Sequence, residues 1–242
     1  TLPFYGSGYR INNNFNIGII ELDTRISSSM SNRLTAGYSA LRDFRASLGG
    51  AAIPMVDIGN GVATKDPVTG IVTETAASAV MTSFGYELFT ANNLLNTNIA
   101  QFSDDFTIYA GKHEITVGTN DQIQSYTNGF APNYNGLYTY NSAYDLLNGL
   151  PALAYSTRFS VTGSFPYAKI KAGIYSAYVQ DKFHVTDNLR VTYGIRADYD
   201  DFPTTLQQNA NAAALTFQGG THVNPAVLPK NRVQLSPRLG FN

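Results

Sequence analysis

Residues 175–200, YSAYVQDKFHVTDNLRVTYGIRADYD, alternate apolar and polar side chains on both sides of a short polar segment. This alternation predicts two antiparallel strands, each with one apolar and one polar face. The apolar residues of the two strands must lie on the same face of the hairpin, so Val185 is predicted to lie opposite Leu189. This register leaves a three-residue loop that ends in Asn188 in a left-handed conformation. On the polar face this register pairs Tyr178 with Arg196, Ser176 with Asp198, Gln180 with Gly194, and His184 with Arg190.

Two further segments have the same organisation. Residues 98–125 predict a hairpin with a two-residue turn at Gly111 and Lys112, where glycine at the first central position suits a type II′ turn. In a hairpin at 14–45 the apolar parity changes near Ile19, which predicts a bulge or register break there. The sequence thus predicts about seven strands, in hairpins at about 14–45, 98–125 and 171–201 and a final strand at 233–242.

The connections between these strands alternate between tight turns and the long segments 47–97, 126–170 and 201–232. Strands of about 10–13 residues with a long connection at every second position are typical of outer-membrane barrels, whereas strands in soluble sheets average about 5–6 residues. The pattern predicts an all-β fold: an antiparallel transmembrane β-barrel segment with tight periplasmic turns and long extracellular loops. Within the second long segment, Ser142 followed by Asp145 predicts a capped helical turn.

Composition agrees with this prediction without deciding it. Charged residues make up 14% of the chain, against roughly 25% in ordinary soluble domains, and Tyr and Phe supply all of its 12% aromatic content. A net charge of −1 gives no indication of a nucleic-acid partner, and the absence of Cys excludes disulfides and Cys-ligated metals. A secreted β-sandwich binding module has a similar composition and is an alternative.

A short pattern recurs on the outgoing strand of each hairpin: LTAG, ITVG and VTYG. Each copy places its glycine, Gly37, Gly118 or Gly194, on the polar face. Because glycine permits close backbone approach, we expect something to pack against that face there, although a coincidence in β-rich sequence would look the same.

Two acidic residues interrupt the apolar face. Asp181 lies a few residues from its turn, which predicts a position near the lipid headgroups, where a charge costs little free energy. Asp104 has no such explanation in the sequence. We therefore treat Asp104 as the residue that fits the barrel least well.

No catalytic constellation, metal site or cofactor motif stands out, so we do not expect an enzyme. His113, His184 and His222 are widely separated and lack metal-ligand spacing, and residues 57–66, DIGNGVATKD, predict a turn rather than a calcium loop. Aromatic residues in the long connection could form a ligand-binding surface, although loops that pack on themselves look the same. These candidate ligand contacts are Tyr126, Phe130, Tyr134, Tyr138, Tyr140 and Tyr144.

The segment AYVQDKFHVTDNLRVTYGIRADYD resembles the barrel hairpin of TonB-dependent outer-membrane receptors, particularly the Oar-like group. It departs from them at Phe183, where the family usually has Trp; either serves as an interfacial aromatic. The resemblance implies a plugged barrel of about 22 strands that takes up a large or scarce substrate across the outer membrane of a Gram-negative bacterium. Other segments similar to that barrel are YSALRDFR (38–45), GKHEITVG (111–118), AYDLLNGLP (143–151) and LSPRLGFN (235–242).

The resemblance also implies partners. These are outer-membrane lipid, the receptor's own plug domain and TonB, with surface lipoproteins or other outer-membrane complex subunits as further candidates. Neither a plug domain nor a TonB-contacting segment is visible, and seven strands do not complete an even-numbered barrel, so we expect a longer polypeptide. Gly37, Gly118 and Gly194 would then be candidates for contact with the plug. A structural or secretion-related barrel component is the alternative function.

Overall fold

The computed structural model describes residues 2–49, 52–160 and 163–242. Within them, no helix is both long and apolar enough to cross a membrane. The helices are α1 (Ala143–Leu147) and α2 (Ala210–Ala213), with 3₁₀ turns at Tyr5–Ser7 and Gln218–Gly220. The strands are β1 (Leu2–Pro3), β2 (Tyr9–Arg25), β3 (Met30–Ser47), β4 (Met55–Gly59), β5 (Ala63–Lys65), β6 (Val72–Glu74), β7 (Val80–Phe84), β8 (Leu94–Ala110), β9 (His113–Gly129), β10 (Leu137–Tyr140), β11 (Ala154–Ser156), β12 (Ala168–Thr186), β13 (Leu189–Asp201) and β14 (Val233–Phe241).

The chain divides into two compact units. The first consists of Thr1–Asn14, Arg42–Asn96 and Thr127–Ala168. The second consists of Phe15–Leu41, Thr97–Tyr126 and Lys169–Asn242.

A seven-stranded antiparallel sheet makes up most of the second unit, with the strand order β14-β13-β12-β9-β8-β3-β2. Five of its strands have 17 to 19 residues, β13 has 13 and β14 has 9. Most are longer than the sequence predicts, and they exceed the roughly 9–11 residues that cross a bilayer. This agrees with the predicted antiparallel barrel wall.

The register predicted for β12 and β13 is confirmed from Tyr175 opposite Tyr199 to His184 opposite Arg190. The predicted turn is wrong by one residue, because Thr186 rather than Val185 lies opposite Leu189. The extra residue is absorbed in a bulge between His184 and Thr186. Asn188 does not adopt a left-handed conformation, and its N–H instead donates to Thr186 Oγ1 at 3.3 Å.

The other two hairpins also test the predicted registers. Gly111 has φ 62° in the turn between β8 and β9, as the predicted type II′ turn requires. In the hairpin of β2 and β3, the Ile26 N–H donates to the Met30 carbonyl near the turn, and the Leu48 N–H donates to the Gly8 carbonyl at the other end. Both contacts belong to the same register of the two strands, so the pairing does not shift between them. The bulge or register break predicted near Ile19 is therefore wrong.

The exposure of the sheet in the second unit is the reverse of that in a water-soluble protein. Apolar side chains on one face are open, with Val179 42% and Ile195 47% exposed. Conversely, the buried residues of this unit are polar, namely Thr97, Thr116, Ser176 and Asp181. In water the expected distribution is the opposite. A β-sandwich would bury the apolar face beneath a second layer, so that alternative is wrong.

The first unit contains a five-stranded sheet, in the order β1-β7-β4-β10-β11, and the β5–β6 hairpin. Its small apolar core includes Met55, Ile58 and Ala91. The predicted cap of α1 is confirmed, since Ser142 Oγ accepts the Asp145 N–H at 3.3 Å. Among the described residues no three His, Cys, Asp or Glu side chains are placed to hold a metal ion.

Candidate functional site

The polar face of the seven-stranded sheet encloses an open cavity of about 810 Å³. Every strand of the sheet contributes polar or charged side chains to its lining. Basic and acidic residues are interspersed, so the cavity is strongly polar without a single dominant charge. They include Asp23, Arg33, Asp105, Glu114, Lys182, Arg196 and Arg238.

The central contact in this cavity joins Tyr178 on β12 to Asp105 on β8. The Tyr178 hydroxyl donates a hydrogen bond to Asp105 Oδ1, across the intervening strand β9. Gly118 lies beneath this bridge, and a Cβ added there would lie 2.6 Å from both Asp105 Oδ1 and Tyr178 Cζ. The bridge therefore depends on a position without a side chain.

Arg196 extends the network onto β13. Its Nε donates to Asp198 Oδ1 at 2.7 Å, and its Nη2 donates to Ser176 Oγ at 2.8 Å. The guanidinium carbon lies 5.8 Å from the centre of the Tyr178 ring, within the range of a cation–π contact. Arg196 thus supports the ring that reaches across β9.

Ion pairs occupy both sides of this network. Lys182 Nζ lies 2.6 Å from Glu114 Oε1, and Arg33 Nε lies 2.8 Å from Asp23 Oδ1. Pairs this close to solvent add little to stability, because water and salt screen them. Their main effect is to place charges of both signs on the polar face.

The three predicted glycines have different surroundings. The close approach expected at Gly118 is made by the chain's own Tyr178. At Gly194 an added Cβ would meet the Val179 carbonyl oxygen at 2.6 Å, on the neighbouring strand. At Gly37 the nearest atoms lie 3.6 Å away, so that position is open. Contact of these glycines with a plug domain stays a prediction.

The acidic residues on the apolar face have partners on the same face. Asp181 Oδ2 accepts hydrogen bonds from the Tyr193 hydroxyl at 2.7 Å and lies 2.6 Å from His113 Nδ1. Asp104 Oδ1 accepts a hydrogen bond from Asn32 Nδ2 at 2.7 Å. Both carboxylates therefore have hydrogen-bond partners, and the partner of Asp104 was not visible in the sequence.

The six candidate aromatic contacts lie on several different elements, and contact of these residues with a ligand stays a prediction. The Tyr126 hydroxyl donates a hydrogen bond to Gln124 Oε1 at 2.7 Å within β9. Tyr138 packs on Tyr155 with ring centres 4.5 Å apart. Tyr140 lies in β10 and Tyr144 in α1. Among the described residues, Phe130 and Tyr134 are the two of the six that line one small cavity of the first unit.

Comparison with known families identifies this kind of sheet. A family model described as outer membrane beta barrel domain matches residues 2–242. The chain belongs to this family. The chain accordingly lies in the outer membrane of Gram-negative bacteria, and its exposed apolar face agrees with contact with lipid.

No curated protein matches this chain. A solved structure to which it is similar is the ferric-catecholate import receptor Fiu from E. coli K12, in an open form. The sequence identity is 16% and the TM-score 0.44, and the match covers 98% of this chain and 34% of that chain. This chain thus spans about a third of that receptor's length.

Sequence reasoning missed the bridge at the centre of the polar face. It placed Tyr178 opposite Arg196 on that face but did not single out Asp105 as a partner. The usable signal was Gly118, whose place on the polar face predicts close packing. Its partner lies on another hairpin, and the register between β9 and β12 is visible only in the folded chain.

Proposed function

We propose that this chain forms part of the barrel wall of a TonB-dependent outer-membrane transporter that takes up a large or scarce substrate. The observation that carries this proposal is the exposure of the second unit, whose sheet presents open apolar side chains on one face and a charged cavity on the other. An apolar face suits contact with lipid, and a polar face suits a lumen that holds water or a plug domain.

The strands at the two ends of the sheet bear on the proposal. β2 and β14 each have one neighbour in the described sheet. In a bilayer an unpaired edge would leave backbone groups without hydrogen bonds, which costs several kcal/mol per group. In the proposed transporter, further strands pair with both edges, and the plug domain and TonB act as partners in uptake.

The local sequence supports an Oar-like receptor within this class. The hairpin of β12 and β13 carries the segment that resembles those receptors. On its polar face Tyr178 pairs with Arg196, Gln180 with Gly194 and Ser176 with Asp198, as the sequence predicts. The resemblance is the basis on which we include coupling to TonB in the proposal.

The test compares three strains of the native host: wild type, a deletion of the gene that encodes this chain, and a deletion of TonB. Each strain grows in the same complex medium, and mass spectrometry measures which compounds are depleted. We expect at least one compound to be depleted by the wild type and retained by both deletion strains. Depletion profiles that are identical in wild type and the receptor deletion, with a change in secreted or surface proteins instead, would favour the structural or secretion-related alternative.

A further inference from the structure

The first unit contains a small cavity with an aromatic lining. Its volume is about 200 Å³, below the roughly 300–1,000 Å³ of pockets that hold drug-sized ligands. A cavity of this size suits a single six-membered ring with its substituents. The residues that define its character are Phe130, Tyr134, Phe159, Phe165, Arg158 and Asn128.

Asn133 ties the two chain segments that form the walls. Its Nδ2 donates to Ser156 Oγ at 3.1 Å, and its carbonyl accepts the Arg158 N–H at 3.3 Å. Its own N–H donates to the Leu88 carbonyl at 2.9 Å, and its φ of 62° lies in the left-handed region, which Asn tolerates. The walls are therefore held in place before any ligand binds, which lowers the entropic cost of binding.

The rings on one wall are also fixed. Tyr134 meets Phe165 edge to face, with centres 5.3 Å apart and planes at 66°, and Phe165 packs on Tyr167 at 4.6 Å. The Tyr167 hydroxyl donates to Asn92 Oδ1 at 3.0 Å. This arrangement anchors the stack at its far end and leaves Tyr134 and Phe165 in the cavity lining.

Two other rings of the lining stay accessible. Phe130 is 58% and Phe159 77% exposed. Exposed aromatic rings grouped around a concave site are typical of binding surfaces, because an apolar ligand face covers them on binding.

Arg158 is the charged side chain among the described lining residues. An exposed arginine in an otherwise aromatic lining is complementary to a carboxylate attached to a ring, since its guanidinium can form two parallel hydrogen bonds to the two oxygens. Asn128 and Ser160 add polar groups to the lining and could meet hydroxyl substituents on the ring.

We propose that this cavity binds one six-membered ring that carries a single carboxylate, with the ring against Tyr134 and Phe165 and the carboxylate on Arg158. Two kinds of molecule share this chemistry: a terminal uronic acid residue of a glycan and a hydroxybenzoate. This binding goes beyond the proposed transport and can be measured without it.

The experiment uses the native full-length protein that contains this chain, purified in detergent, with saturation-transfer NMR and calorimetry as readouts. The probes are methyl β-D-glucuronide, 4-hydroxybenzoate, and the neutral methyl β-D-glucoside. R158Q removes the charge but keeps hydrogen-bond donors, and R232Q is the matched control at an exposed arginine outside the lining. Y134L removes a ring, and Y134F keeps it.

We expect the wild type to bind at least one of the acidic probes and to bind the neutral glucoside about tenfold more weakly than the acidic probe that it prefers. R158Q should weaken binding of that acidic probe about tenfold, Y134L roughly three- to tenfold, and R232Q and Y134F should leave it unchanged. Preference for the glucuronide would identify a sugar, and preference for 4-hydroxybenzoate an aromatic acid.

Three outcomes would overturn the proposal. They are equal binding by R158Q and the wild type, binding of the neutral glucoside as tightly as the better-bound acidic probe, and no detectable binding of either acidic probe at millimolar concentration. Thermal unfolding of each variant confirms that it is folded. Uptake is measured in cells and binding on the purified protein, so a failure of one does not imply a failure of the other.

Discussion

Tyr178 and Asp105 are joined by a hydrogen bond across a strand to which neither belongs. Tyr178 lies on β12 and Asp105 on β8, and β9 runs between them. The contact is possible because Gly118 on β9 leaves the space that the Tyr178 ring and the Asp105 carboxylate occupy. One glycine thus lets a single contact link three strands on the polar face.

The first prediction concerns this space. G118A should lower the free energy of unfolding by about 1–3 kcal/mol, because the new methyl group displaces the phenol and the carboxylate that lie 2.6 Å from its position. Chemical denaturation in detergent micelles or lipid vesicles, followed by tyrosine fluorescence, measures the change.

The matched control for that substitution is G37A. It occupies the same place in the repeated pattern, but its nearest neighbours lie 3.6 Å away, so we expect a change below about 0.5 kcal/mol. The Gly→Ala effect on the unfolded chain is common to both variants and cancels in the comparison. Equal destabilisation of the two variants would contradict the role assigned to Gly118.

The second prediction concerns the strength of the bridge. Y178F and D105N should each destabilise the sheet, and the double variant should lose less than the sum of the two. A hydrogen bond to a charged group contributes about 1.5–3 kcal/mol, and the coupling energy should approach that range. A double-mutant cycle of unfolding free energies measures it, and additive losses would show that the two side chains act independently.

The third prediction tests which face meets lipid. I195R should destabilise the barrel by about 2–4 kcal/mol, because Ile195 lies near the middle of β13 on the apolar face. L189R, on the same face at the end of β13 beside the tight turn, should cost only about 0–1 kcal/mol. Heat-modifiable migration after reconstitution into vesicles reports the folded fraction. Similar losses in both variants would argue against a depth-dependent lipid environment.

The fourth prediction concerns pH in the first unit, outside the membrane-spanning strands. A hydrogen bond to Asp145 raises the pKa of Glu74, because the protonated Glu74 donates to that carboxylate. This contribution to stability is complete below the unfolded pKa of Glu, about 4.3, and is lost as the pH rises through the folded pKa. We therefore expect the segment around α1 to become less protected from hydrogen exchange as the pH rises through the folded pKa of Glu74.

E74Q provides the measurement. Its amide donates to Asp145 without a titrating proton, so its protection should match the wild type at acid pH and exceed it at neutral pH. Hydrogen–deuterium exchange of residues 141–147 across pH measures this difference. D187N, at an exposed turn residue of the second unit, is the control and should leave exchange at α1 unchanged. A wild-type and E74Q difference that is constant with pH would contradict the shared proton.

Local pattern was sufficient for the strand register of the β12–β13 hairpin. Side chains alternate along a strand, so the apolar residues of β12 and β13 could be matched in one register only, and the observed pairing of Val179 with Ile195 follows from it. The turn was predicted less well, because a bulge beside Thr186 and the side-chain hydrogen bond to Asn188 depend on local geometry that alternation does not describe.

The sequence by itself determined the long strands of the seven-stranded sheet, their faces and the order of tight and long connections, because these depend on neighbours in the chain; the short strands of the first unit were not predicted. Only the tertiary structure decided which hairpins lie side by side, and hence that Tyr178 reaches Asp105 over Gly118 and that Asn32 meets Asp104. Contacts between hairpins depend on the register of strands separated by long connections, and no local periodicity specifies that register.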